Sequence, residues 1–242
     1  MTSQNIPRHI AVIMDGNGRW AQEKGLPRFR GHQKGGERIR DIIEGAIELG
    51  VGYLTLYAFS KENWIRPKEE VDFLMELLSL YLDQELPKLK ENEIRFNVIG
   101  SREDLPPEIQ KKVERNMRET GAYKKLVLTL ALSYSGRIEI TEAIQKIAEE
   151  VKAGRLSLAS IDEAKIQQML YTADLPDPDL LIRTSGELRL SNFLLWQISY
   201  TEIYVTDVLW PDFSKEELYK AIEAYQKRSR RFGLVECPPL GP

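Results

Sequence analysis

The segment Ile10–Ala21, IAVIMDGNGRWA, sets a carboxylate at the mouth of a turn that otherwise suits phosphate. Backbone N–H groups from Gly16 to Gly18, followed by Arg19, offer donors to a diphosphate at a helix start, whereas Asp15 beside them repels it. A cation between the two removes the conflict. Mg²⁺, commonly held by one or two carboxylates plus phosphate oxygens and water, suits that place. The alternative is that Asp15 caps the turn. Gly16-Asn17-Gly18-Arg19-Trp20-Ala21 also satisfies the relaxed dinucleotide pattern G-x-G-x-x-A. That pattern needs an acid at the end of the second strand to hold a ribose, and here Glu37 and Asp41 fall inside a helical stretch instead. The phosphate-loop pattern G-x-x-x-x-G-K-[ST] is absent.

Three further groups carry chemistry. Arg28, Arg30 and His32 lie in a stretch punctuated by Gly and Pro that reads as a loop. Arginines there grip phosphate bidentately or stand as solvated surface charges, and His32 is equally a hydrogen-bonded loop residue. In FSKENWIRP, Ser60, Asn63, Trp64 and Arg66 crowd a strand end before Pro67. They offer a hydroxyl, an amide, a guanidinium and an aromatic wall for an apolar substrate part; as cap chemistry and an edge-of-core aromatic they need no ligand. In DPDLLIRTSGELRLS, Arg183 follows a short strand, Thr184, Ser185 and Gly186 make a turn, and Arg189 and Ser191 return towards it. This is a second possible diphosphate cradle. Glu202, just before the last strand, is either a second carboxylate for the site or a solvated strand-edge acid.

The elements that must position these residues follow from apolar patterning. Short, largely continuous apolar runs at Ile10–Met14, Tyr53–Phe59, Ile94–Ile99, Leu126–Leu132, Leu180–Ile182 and Ile203–Val205 read as strands buried on both faces. Helical patterns lie at Gly35–Leu49, Glu69–Glu91, Pro106–Thr120, Arg137–Lys152, Ile161–Tyr171 and Ser214–Arg230. The alternation predicts an α/β fold: one domain over 1–233 with a mainly parallel six-stranded sheet flanked by helices on both faces, and a frayed tail over 234–242. Ligands are then expected outside the carboxyl ends of the strands. The Glu69–Glu91 helix is too apolar for a one-sided surface helix, so it is deeply buried, meets another subunit or walls an apolar tunnel. Pro87 should bend or divide it near its end.

Composition narrows the function. The 242 residues are 42% hydrophobic and 29% charged with a net charge of -3, which argues against a polyanion such as nucleic acid as the main partner. One cysteine, Cys237, cannot build a disulfide or a cysteine metal site within one chain, which fits a cytoplasmic setting. No apolar run approaches the length of a membrane span.

The motifs HIAVIMDGNGRWA, GHQKGGE, LTLYAFSKENWIRP and DLLIRTSGELRLSNFLLWQISYTEIYVTDVLWPDF, in this order from Pro7 to Gly233, closely resemble those of the cis-prenyltransferases. The resemblance implies condensation of isopentenyl diphosphate onto an allylic diphosphate, farnesyl diphosphate being the expected primer, to a long product such as undecaprenyl diphosphate. It implies that Asp15 binds Mg²⁺ and that Gly16, Asn17, Gly18, Arg19, Trp20, Arg28 and His32 surround the allylic substrate. Ser60, Lys61, Glu62, Trp64 and Arg66 would complete that pocket, with Asn63 at a position often assigned to proton acceptance, although a neutral amide is a poor base. Arg183, Arg189, Leu190 and Ser191 would hold isopentenyl diphosphate, and Glu202 would be a second metal-associated acid. Arg231-Phe232-Gly233 matches a tripeptide that reaches the neighbouring subunit in family dimers, and it is also an ordinary basic helix end. A homodimer and transient contact with a membrane surface for product delivery are expected on the same ground. One departure stands out: relatives usually read NYGGR where this chain has Ser133-Tyr134-Ser135-Gly136-Arg137. The trans-forming prenyl synthases are excluded, since their aspartate-rich helices have no counterpart beyond the proline-broken DLPDPD.

Overall fold

A computed structural model describes residues 5–228; Arg231 and Gly233, the 234–242 tail with Cys237, and the last two residues of the expected C-terminal helix lie outside them. Strands β1 (His9–Ile13), β2 (Tyr53–Ser60), β3 (Ile94–Ile99), β4 (Leu126–Tyr134), β5 (Leu180–Arg183) and β6 (Glu202–Val205) form one sheet ordered β3-β4-β2-β1-β5-β6. Every neighbouring pair is parallel, as the uninterrupted apolar runs require of strands covered on both faces. Side chains of β1 alternate between the two cores. Ile10 and Val12 enter the larger one, while Ala11 and Ile13 enter a smaller one with Phe193, Leu194 and Ile198.

The helices are α1 (Asn17–Glu23), α2 (Arg28–Glu48), α3 (Lys68–Glu91), α4 (Pro107–Thr120), α5 (Gly136–Lys152), α6 (Glu163–Gln167) and α7 (Lys215–Gln226). Ile42 and Ala46 of α2, Val71 and Met75 of α3, Val113 of α4 and Leu218 of α7 fill the larger core. The chain leaves β1 for β2 on one side and later returns to β5 on the other, so β1 marks the topological switch. Crevices at such switches, outside the carboxyl ends of the strands, are where α/β sheets bind ligands.

Three expectations need correction. Helix α2 begins at Arg28, seven residues before the predicted start, so Arg28, Arg30 and His32 are helical and not in a loop. Gly31 falls in the stretch that reads as a loop, yet Gly31 and Gly35 are where α1 crosses α2 closely: a Cβ at Gly31 would stand 1.9 Å from the Asn17 carbonyl oxygen, and one at Gly35 2.2 Å from Asn17 Oδ1. Helix α3 runs undivided through Pro87, forgoing only the one bond that an N–H there would have made to the Asp83 carbonyl; the bonds on either side keep the helix continuous to Glu91. The predicted Ile161–Tyr171 helix contracts to α6, because the chain turns after it so that the Tyr171 N–H can reach Glu139 Oε1 at 2.9 Å.

Candidate active site

Asp15 stands just beyond β1, and Arg183 closes β5 opposite Ile13. Their side chains meet: Arg183 Nη2 donates to Asp15 Oδ2 at 2.9 Å, while Asp15 Oδ1 accepts the Gly16 N–H at 2.8 Å. The Thr184 hydroxyl donates to the Asp15 carbonyl at 2.7 Å and fixes the strand end from below. Gly16 has φ +110°, and a Cβ there would also press on Leu209 at 3.0 Å, so this turn requires glycine. Arg19 and Arg189 each place a guanidinium nitrogen 3.9 Å from Asp15 Oδ2. Arg183 is buried and donates to Ser191 Oγ at 2.8 Å and to the Arg189 carbonyl, but its Nε has no hydrogen-bond partner. A buried guanidinium with an unmet donor suits an incoming anion.

Across the crevice, Glu70 in the first turn of α3 gathers Arg66 at 3.0 Å, Arg28 at 3.4 Å and His32 Nε2 at 3.4 Å. Burial holds His32 below the ordinary imidazole range, so the ring is neutral at pH 7, and its Nε2 lacks hydrogen-bond geometry to any partner. Burial opposes the charge on Glu70, but the hydrogen bond and charge of Arg28, with the charge of Arg66, outweigh it and keep that carboxyl below its usual range. Glu187 likewise pairs with Arg19, at 3.1 Å, and with Arg189. An anion entering either cradle therefore competes with a carboxylate already resident there. Neither acid is singled out by sequence, because one in a first helical turn or a polar loop reads as ordinary.

Asp15, Asn17, Ser60, Asn63, Arg183 and Ser191 line a polar pocket of about 560 Å³, in which Glu62 and Arg189 also take part. A smaller neighbour of about 200 Å³ adds Gly16, Gly18, Arg19 and Arg28. Between α2, α3 and the sheet lies an apolar cavity of about 170 Å³, walled by Ile39, Ile43, Leu74, Leu77 and Leu78. Met14, Asn17, His32, Ala58 and Leu74 line both this cavity and the main polar pocket.

Several expected residues are engaged by the protein itself, Asn63 while it also lines the polar pocket. Asn63 Oδ1 accepts the Ser60 N–H at 3.1 Å in a capping box that opens the turn Lys61–Ile65. Trp64 packs edge-on against Phe59 at 5.0 Å and donates its indole N–H to Ser133, which makes it an edge-of-core aromatic and not a pocket wall. Lys61 turns to Asp104, Trp20 donates to Asp212 at 2.8 Å, and Leu190 packs partly buried on the smaller core. Glu202 begins β6 opposite Leu180, at the amino end of the sheet, and takes Arg228 at 2.8 Å. Because β6 is parallel to β1, a residue at its start lies at the opposite end from Asp15, so one chain does not bring these carboxylates together. Among the described residues no three His, Cys, Asp or Glu side chains group as a metal site. Asp15 alone fits an ion of the kind completed by substrate oxygens and water.

The family described as "Putative undecaprenyl diphosphate synthase" matches residues 13–233. The isoprenyl transferase of Geobacter sulfurreducens is 54% identical over 96% of this chain and 94% of its own length. A Micrococcus luteus protein named ditrans,polycis-undecaprenyl-diphosphate synthase ((2E,6E)-farnesyl-diphosphate specific) is 50% identical over 96% and 94% of the two chains. Among solved structures, lavandulyl diphosphate synthase from Lavandula x intermedia, in complex with dimethylallyl diphosphate, superposes with a TM-score of 0.92 at 41% identity, covering 94% of this chain and 98% of that one. A probable undecaprenyl diphosphate synthase from Campylobacter jejuni gives 0.79 at 36% identity, covering 95% and 100%. The parallel sheet, the Asp15–Arg183 crevice at its switch point and these matches lead to one conclusion: the chain belongs to the undecaprenyl diphosphate synthase family and is a cis-prenyltransferase.

Proposed function

We propose that this chain extends an allylic diphosphate, farnesyl diphosphate first, by head-to-tail addition of isopentenyl diphosphate to a long-chain product such as undecaprenyl diphosphate, a lipid carrier precursor for cell-wall synthesis. The observation that carries the reading is the Asp15–Arg183 contact in a polar pocket that shares a wall with an apolar cavity. In the reaction the allylic C–O bond breaks, pyrophosphate departs with the electron pair, and the alkene of isopentenyl diphosphate forms the new C–C bond. Loss of a proton then leaves a cis double bond. Mg²⁺ held by Asp15 and diphosphate oxygens would supply Lewis acidity to the leaving group. Arg19, Arg28, Arg66 and the N–H groups of the Gly16–Gly18 turn hold the allylic diphosphate, displacing Glu70. Arg183, Arg189 and Ser191 hold the second diphosphate, and Asn63 orients the Ser60 turn. The apolar cavity under α3 receives the growing tail and excludes water from the cationic carbon.

A homodimer, and contact with a membrane surface when so insoluble a product leaves, belong to the same proposal. No helix among the described residues is long and apolar enough to cross a membrane. Incubating the purified protein with farnesyl diphosphate, isopentenyl diphosphate and Mg²⁺, then measuring pyrophosphate release and product length by mass spectrometry, tests the reading. Metal-dependent release with a ladder of five-carbon increments is expected. An absence of any condensed product would overturn it.

A further inference from the structure

Ser133, where the chain departs from the family pattern, is the middle of a tie between two loops. It lies near the end of β4, 1% exposed, with φ +46°. Its hydroxyl accepts the Trp64 indole N–H at 2.8 Å and donates to Asp104 Oδ2 at 2.5 Å, so both of its capacities are used. The same Asp104 oxygen accepts the Lys61 ammonium at 2.6 Å. One carboxylate outside the pocket thus grips two residues of the Lys61–Ile65 turn. That turn has no buried residue of its own, and its last member, Ile65, is 88% exposed. The turn's entry and exit, Ser60 with its Asn63 cap and Arg66, are pocket residues. Sheet pairing of Ser60 with Tyr134 holds the entry, Arg66 with Glu70 at 3.0 Å holds the exit, and Asn192 donates to Glu62 at 2.8 Å; the tie and the Phe59–Trp64 contact hold Lys61 and Trp64 between them.

We propose that Asp104, acting directly on Lys61 and through Ser133 on Trp64, is a positioning residue that fixes the Lys61–Ile65 turn so that Ser60, Asn63 and Arg66 face the diphosphate pocket. The kinetic part of this inference rests on the condensation reading above. Lys61 and Asp104 are only partly buried, so breaking the tie loosens the turn without opening the core. Burial opposes the charge on Asp104, but Lys61 and Ser133 outweigh it and keep the carboxyl ionised at neutral pH.

The four tryptophans make a spectroscopic test possible, because each indole N–H has a different acceptor: Asp212 for Trp20, Ser133 for Trp64, Gln167 for Trp196 and the Gly35 carbonyl for Trp210. In nitrogen-15 spectra, Ser133→Ala and Asp104→Ala are each expected to shift the Trp64 indole signal and leave the other three in place. In kinetics both should raise the KM for the allylic diphosphate by about tenfold while kcat falls by less than about threefold, as for a misplaced binding group. Ser133→Asn should restore parental KM, since Asn tolerates a left-handed backbone and offers both an acceptor for Trp64 and a donor for Asp104. If Asp104→Ala does not fold, Asp104→Asn is read in its place. An unmoved Trp64 signal, a parental KM in both alanine variants, or an Asn variant as impaired as the Ala one would each overturn the proposal. Should the parent fail to condense its substrates, the functional reading falls by itself. Inorganic pyrophosphate binding by calorimetry then replaces KM, and unweakened binding in both variants overturns the tie.

Discussion

Asp15 is ringed by Arg183, Arg19 and Arg189, all within 4 Å of one carboxylate oxygen, so its charge is fixed in place before any ligand arrives. Charge arranged in advance acts mainly on the step in which pyrophosphate leaves. Asp15→Ala is therefore expected to lower kcat at least about 100-fold with a modest change in KM, checked by steady-state kinetics. Turnover near the parental value would defeat the assignment. Because the alanine also strips a buried arginine of its carboxylate partner, Asp15→Asn, which removes the charge but keeps one of the two hydrogen-bond acceptors, should be run beside it. Asp15 and Arg183 were legible in the sequence because polar residues at the end of an apolar run fall at the carboxyl end of a parallel strand, and Ser191 because the chain turns at Gly186 and returns. The same rule, applied in reverse, places Glu202 away from Asp15 within one chain: a residue at the start of a run falls at the other end of the sheet. Glu70 was illegible because its partners Arg28 and His32 come from another helix, and nothing local marks the meeting.

At the scale of elements, the closeness of α1 and α2 decides where the glycine turn points. Asn17 abuts Gly31 and Gly35, and its Oδ1 is buried without a hydrogen-bond partner. Gly31→Ala would drive a methyl group into a backbone carbonyl, which cannot swing aside as a flexible side chain does. The expected result is a loss of about 1–3 kcal/mol in urea denaturation and a weaker hold on the allylic diphosphate, as the two helices part and displace the turn. Gly25→Ala, where nothing lies within 4 Å, serves as the control, although its φ of +64° makes it mildly strained. Unchanged denaturation midpoint and KM in Gly31→Ala would count against this account. The body of α2 was readable from its apolar stripe, but its first two turns were not. Their glycines exist for packing against another helix, a purpose that looks like loop composition when read along one dimension.

The whole molecule carries a pH liability far from the crevice. His9, at the start of β1, donates from Nδ1 to the Pro176 carbonyl at 2.7 Å, and its Nε2 lies 2.8 Å from the Thr55 hydroxyl, whose proton it accepts while the ring is neutral. Burial is the main cause that lowers its pKa from 6.5 to about 4. The unfolded chain then binds the proton more readily than the folded one between those values. Stability is full above pH 6.5, declines as pH falls and levels off below about 4, a total of about 3 kcal/mol. Glu139, whose carboxyl burial raises, titrates in the opposite sense, so the comparison needs a variant. Urea midpoints at pH 7.5 and 5.0 should drop in the parent and change less in His9→Gln; equal drops would assign the effect elsewhere. A last consequence follows from the wall shared by the polar pocket and the greasy cavity. Such a site recognises an anionic head joined to an oily chain, which also describes many laboratory surfactants. The choice of detergent during handling is thus a choice of competitor, and non-ionic ones are the ones this site has least reason to admit.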